Sequence, residues 1–141
     1  MTDGTTSRQS LTLGSELASI DTIEQTAIDF AGRAGFDEDT ASNIAMVARE
    51  AGANAVIHGN RYDAHKHVSA TFEASSDSVL IRIADEGTGF DASRIPDPLA
   101  PENLLRSSGR GVFLMRAFMD EVNFRQLSPG TEITLIKRRK S

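Results

Sequence analysis

Within Arg49-Glu50-Ala51-Gly52-Ala53-Asn54-Ala55-Val56-Ile57-His58-Gly59-Asn60, the residues Glu50, Asn54 and His58 recur at i, i+4 and i+8. On a helix that spacing sets a carboxylate, an amide and an imidazole in one polar line. Ile44, Val47, Ala48, Ala51 and Ala55 form an apolar stripe beside it, so the line borders a buried face and predicts the wall of a polar pocket. Gly59 reads as the helix stop, with Asn60 just beyond. A second stretch is Asp85-Glu86-Gly87-Thr88-Gly89-Phe90. Val79, Ile81 and Ile83 alternate along one face of a strand, and Asp85 continues the same inward parity. A carboxylate ending a core-facing row needs a partner, since unpaired burial of a charge is costly. Gly87 and Gly89 give the backbone close access to whatever fills that space. A third stretch, Gly109-Arg110-Gly111, opens a helix whose first N–H groups lack partners within the helix.

The elements that must carry these residues follow from periodicity and punctuation. Leu11 and Leu13 predict a short first strand after a loose leader over residues 1–8. A first helix follows with Leu17, Ile20, Ile23, Ala27, Ile28 and Ala31, stopping near Gly32 and Gly35. The acidic run Asp37-Glu38-Asp39 suits the first turn of a second helix, which runs to His58. Val68, Ala70 and Phe72 predict a strand, Ser75 to Ser78 a turn, and Val79 to Ile83 the next strand. Residues 91–108, with Pro96, Pro98 and Pro101, form a loop long enough to expect a function for it. Val112, Met115, Phe118 and Met119 mark a last helix. Val122 and Phe124, the Ser128-Pro129-Gly130 turn, and Ile133 with Leu135 complete two further strands. Lys137-Arg138-Arg139-Lys140 reads as a solvated basic tail, 138–141, beyond the last strand. The fold class is α+β: a two-layer α/β sandwich with helices on one face of a mixed, mostly antiparallel sheet.

The chain has 141 residues, 39% of them hydrophobic and 25% charged, which predicts one soluble globular domain with a single core. A net charge of −5 argues against direct nucleic-acid binding through the bulk surface. Without cysteine there are no disulfides, thiolate metal sites or thiol nucleophiles, which fits a reducing compartment. No apolar run approaches membrane-spanning length and Met1 to Ser10 carries no signal core, so the expected location is cytoplasmic, with no membrane partner.

In this order and spacing the three stretches resemble the N, G1 and G2 boxes of the GHKL ATPases (the Bergerat fold), with wording most similar to the RsbW-type anti-sigma-factor serine kinases. The resemblance runs from the first strand to Ile136. It implies ATP or ADP bound with Mg²⁺. Asp85 would accept the adenine amino group, which a carboxylate can do, helped by Thr131; Gly87, Gly89 and Phe90 would border the base. Asn54 would ligate Mg²⁺, a cation that prefers oxygen and bridges protein to nucleotide phosphates. Glu50 would be the general base for an attacking hydroxyl. Gly109, Gly111 and Val112 would cradle the phosphates, and Leu104 and Leu105 would belong to an ATP lid over 91–108. Arg110 is either a partner of the terminal phosphate or of the bound protein, or an exposed arginine. His58 either lines the phosphate or ribose side or is a structural histidine near a helix C-terminus. Asp63, His65 and His67 sit in a connection, where a separate metal site is the minor alternative.

The implied function is an ATP-dependent protein serine/threonine kinase that is also an anti-sigma factor. It would hold a sigma factor of RNA polymerase and phosphorylate a STAS-domain anti-anti-sigma protein. The alternative is a nucleotide-gated clamp that sequesters a partner without phosphotransfer. Histidine-kinase, gyrase, mismatch-repair and chaperone relatives need further domains that this sequence is not expected to supply. The resemblance also implies pairing as a homodimer, with the first-strand region as the place to look.

Overall fold

The computed structural model describes residues 6–87 and 109–139. The elements run β1 (Ser7–Gly14), α1 (Leu17–Arg33), α2 (Glu38–Ala53), a π-helical turn (Asn54–Gly59), β2 (His67–Ala74), β3 (Ser78–Ala84), α3 (Gly109–Phe118), β4 (Glu121–Gln126) and β5 (Thr131–Arg138). The sheet has the order β1-β2-β3-β5-β4. All four pairings are antiparallel, so the parallel pair implied by "mixed" is absent among the described residues.

Alternation decides which face of the sheet is covered. Val68, Ala70, Phe72 and Ala74 of β2, Val79, Ile81 and Ile83 of β3, and Ile133 and Leu135 of β5 are all buried. They meet Ile20, Ile23, Ala27 and Phe30 of α1 and Ile44, Val47, Ala48 and Ala51 of α2. Phe30 and Phe72 are fully buried with ring centroids 5.8 Å apart. Each such side chain contributes about 1.5–3 kcal/mol through burial. α3 packs against α2 and β4, burying Val112, Met115 and Met119. The opposite sheet face is polar and carries cross-strand pairs such as Arg125–Glu132 at 3.3 Å and Arg8–Glu73 at 3.7 Å. Exposed pairs of this kind add little stability.

Helix ends follow local chemistry. Asp37 caps α2, its side chain accepting from Thr40 N at 2.7 Å, which holds its carboxyl below the usual carboxylate range. α1 ends in a Schellman arrangement, with Phe36 N donating to Ala31 O and Gly35 N to Gly32 O.

Three expected boundaries move. β1 begins at Ser7, inside the stretch expected as a loose leader, because its ladder with β2 extends from Ser7↔Ala74 to Gly14↔His67. The basic tail is not simply solvated. Lys137 and Arg138 belong to β5, Arg138 pairs with Glu121, and Arg139 donates to Ala34 O at 2.9 Å and Ser76 O at 2.7 Å. Arg139 thereby ties the last strand to the end of α1. The α2 helix stops at Ala53 and widens into the π turn, an α-helix over the first part of the motif only. No helix among the described residues is long and apolar enough to cross a membrane.

Candidate nucleotide site

The π turn reshapes the polar line expected along one helix. Glu50 and Asn54 keep their one-turn relation, with Asn54 Nδ2 donating to Glu50 O at 3.0 Å. Beyond Asn54 the bonds lengthen to i→i+5, as in Asn60 N to Ala55 O at 2.8 Å. His58 lies within the π turn and is exposed, whereas Asn54 is only 5% exposed. The stop also differs from the expected one. The left-handed residues are Arg61 (φ 52°) and Tyr62 (φ 59°), not Gly59 or Asn60.

Asn54 Oδ1 is buried and is the one side-chain polar atom among the described residues that is buried without a hydrogen-bond partner. Such an orphan costs about 1–3 kcal/mol and calls for a ligand or ion. Its amide nitrogen is fixed on Glu50 O, so the orphan is an oxygen of fixed orientation. A neutral oxygen donor of this kind fits Mg²⁺. No group of three His, Cys, Asp or Glu able to hold a metal occurs among the described residues. Asp63 instead caps its own loop, accepting from His65 N at 2.8 Å.

Asp85 lies where β3 leaves the sheet. It is 8% exposed. Its Oδ1 accepts from Gly87 N at 3.0 Å and Thr131 N at 3.2 Å, and its own N–H donates to Thr131 O at 3.0 Å. Thr131 thus meets Asp85 through its backbone. Oδ2 receives no hydrogen bond from any described residue, which leaves it as an acceptor for a ligand donor. Burial raises the Asp85 pKa; the Gly87 and Thr131 N–H groups and the Lys66 charge pull it back in part.

Two glycines make this packing possible. A Cβ on Gly59 would lie 2.3 Å from Asp85 Oδ2, and one on Gly87 would lie 2.1 Å from Gly59 O. The end of the π turn and the end of β3 therefore touch backbone to backbone. Gly59→Ala should displace the Asp85 carboxylate, cost about 1–3 kcal/mol by overpacking, and weaken nucleotide affinity. Thermal melts and an ADP titration check both effects. Gly59 also lines an adjoining polar depression of about 410 Å³ with Asn60, Arg61, Asp63 and Lys66.

The pH dependence of stability carries a definite sign. A carboxyl with a raised folded pKa holds more protons folded than unfolded between its two pKa values. Its contribution to stability therefore falls as pH rises through that window. Wild type should lose stability relative to Asp85→Asn as pH climbs from the ordinary carboxylate range toward neutrality. Urea midpoints of both proteins across that range test this.

The backbone of Gly109 and Arg110 opens α3, and Gly111 and Val112 are buried, so the third stretch does begin a helix packed beside α2. Gly89, Phe90, Leu104, Leu105 and the whole 91–108 loop lie outside the described residues, as does the Arg110 side chain. Sequence reasoning missed Asn60 as more than a stop. It is 1% exposed and fully engaged, with Nδ2 donating to Ser15 Oγ at 2.9 Å and His67 O at 3.0 Å. Its Oδ1 accepts from Glu86 N at 2.8 Å. The one signal available was an asparagine directly after the glycine that ends the motif.

Comparison with known proteins agrees with this geometry. Residues 13–137 match the family described as histidine kinase-like ATPase domain. The chain is 31% identical over 121 residues to the serine-protein kinase RsbW of Bacillus subtilis (strain 168), covering 82% of this chain and 75% of that one. It is 33% identical over 112 residues to the RsbW of Staphylococcus epidermidis, covering 74% and 70%. The fold is similar to the crystal structure of the RsbU and RsbW domains of Rv1364c from Mycobacterium tuberculosis. That match has a TM-score of 0.64 and 20% identity, covering 94% of this chain and 32% of that longer one. With an inward aspartate at the end of β3, an orphaned amide oxygen after Glu50 and a family match over nearly its whole length, the chain belongs to the histidine kinase-like ATPases and, within them, to the RsbW-type serine-protein kinases.

Proposed function

We propose that this protein transfers the γ-phosphoryl group of ATP to a serine or threonine of a STAS-domain antagonist and holds a sigma factor inactive until that antagonist displaces it. The observation that carries the reading is the buried, unpartnered Asn54 Oδ1 one turn after Glu50. A cation-seeking oxygen at the start of the π turn, one turn after a carboxylate residue of α2, supports a metal–nucleotide site next to a general base.

The residues divide the chemistry. Asp85 Oδ2 accepts from the adenine amino group and sets the base. The N–H groups at the start of α3, from Gly109, meet phosphate oxygens. Asn54 would hold Mg²⁺, which supplies charge neutralisation at the phosphates when bound. Glu50 takes the proton from the attacking hydroxyl as its oxygen bonds the γ-phosphorus. The bond to the β–γ bridging oxygen breaks, and ADP leaves. Arg110 pairs with the terminal phosphate, and the 91–108 loop, with Leu104 and Leu105, covers the nucleotide. One domain carries the whole activity, at home in the cytoplasm, and two copies pair through the β1 region.

A sigma-capture experiment tests the regulatory half. The purified protein is mixed with each sigma factor of its source and run on a sizing column with ADP or ATP, with and without unphosphorylated STAS protein. One sigma factor should co-elute and be released by the antagonist. If no sigma factor co-elutes under any nucleotide condition, the anti-sigma reading is wrong.

A further inference from the structure

Ser69↔Ala84 is the last pair of the β2–β3 ladder. Continued two residues further, the same register sets His67 opposite Glu86. In a regular antiparallel sheet those two would bond backbone to backbone. Here the Asn60 side chain stands between them. Its Oδ1 accepts from Glu86 N at 2.8 Å and its Nδ2 donates to His67 O at 3.0 Å. Asn60 mimics a peptide group inserted into the ladder. The other His67 bond is likewise taken by a side chain, with Glu86 Oε1 accepting from His67 N. The strand end is thereby held away from β2 while Asp85 N stays bonded to Thr131 O on the β5 side.

Asp85 is thus held on both sides, the peptide after it by Asn60 and the peptide before it, with the carboxylate Oδ1, by Thr131. The preceding residue, Gly59, lies against the carboxylate itself. The connection that delivers Asn60 is unusual. It follows a π turn and precedes two consecutive non-glycine residues in the left-handed region. Such backbone costs of order 1–3 kcal/mol per residue and persists only where its surroundings enforce it. Ser15 Oγ supplies part of that enforcement, accepting from Asn60 Nδ2 and donating to Lys66 O at 2.7 Å.

We infer that Asn60 is a positioning residue for adenine recognition: by wedging the end of β3 off β2 it fixes the direction in which Asp85 presents its free oxygen. This rests on Asp85 reading the adenine amino group, the reading given above. A residue that merely stabilised the fold would weaken binding of every nucleotide alike. Asn60 acts on one contact, the one to the base.

The test compares Mg²⁺-ADP with purine riboside 5′-diphosphate, which lacks the 6-amino group, by titration calorimetry. Wild type should favour ADP by roughly 10- to 100-fold, the worth of a hydrogen bond to a charged acceptor. Asn60→Ala should bring that ratio to within about threefold while phosphate-driven binding persists. Ser15→Ala breaks the same buried network but spares the Glu86 bond, so it should lose thermal stability and keep the ratio. Should Asn60→Ala not fold, Asn60→Ser carries the same reading, since its side chain is shorter and leaves the wedge open. An unchanged ratio in the folded Asn60 variant overturns the inference. A wild type without any preference would instead overturn the adenine role of Asp85, a separate failure that phosphotransfer assays do not report.

Discussion

Asp85→Asn should abolish adenine-nucleotide binding, by roughly 100-fold or more, while leaving the nucleotide-free protein at least as stable as wild type. The two halves have one physical source. Asp85 is a nearly buried carboxylate whose ionised form is disfavoured by desolvation. An amide relieves that penalty and can still accept from Gly87 N and Thr131 N through its oxygen. What it cannot do is accept at the Oδ2 position, where its NH₂ would face the adenine NH₂, donor against donor. Sites built around such a bond reject the mispaired group strongly because buried polar atoms are left unmatched. A melting curve without ligand and a calorimetric ADP titration read the two effects separately. A variant that melts much earlier would show instead that the charge holds the fold together.

Glu50→Gln should leave nucleotide affinity nearly unchanged and lower phosphotransfer by about 10²–10⁴-fold, the usual contribution of a positioned general base. The substitution is close to isosteric, and the helix it sits on is held by other residues. Arg49, its neighbour, bonds Asp21 at 2.7 Å and Glu24 at 2.9 Å and fixes α2 against α1. Asn54 bonds the Glu50 backbone carbonyl rather than its carboxylate, so the orphaned oxygen survives the change. Single-turnover transfer at saturating Mg²⁺-ATP separates chemistry from binding. Full transfer by Glu50→Gln would move the base elsewhere and leave Glu50 a structural part.

Much of this site was legible in the chain because two periods carried it. The alternation Val79, Ile81, Ile83 extends without a break to Asp85, and that parity alone marked the carboxylate as inward. The acidic start of α2 and the stop at Gly35 rest on contacts within a few residues, which sequence records directly, although Asp37 proves to be the cap before the first turn and not part of it. The π turn was not legible. The contacts at its end are tertiary, Gly59 against Asp85 and Asn60 against Glu86, and a 3.6-residue template reads straight through it. His58 therefore sits in a π turn where an α-helix was expected. Arg139 misled for a similar reason: a basic residue near other basic residues reads as solvated, until the end of α1 arrives to accept from it. Asn60 offered only its place after Gly59 as a local sign, since the three partners of its side chain lie at positions 15, 67 and 86.

The most direct measurement of the central claim is phosphotransfer. The purified protein is incubated with Mg²⁺ and γ-labelled ATP, with and without STAS-domain proteins of the same source. Acid-stable label on a serine or threonine of one STAS protein, absent with Asp85→Asn and Glu50→Gln, is the predicted result. Tight nucleotide binding with no label on any STAS protein would contradict it and leave a nucleotide-gated clamp.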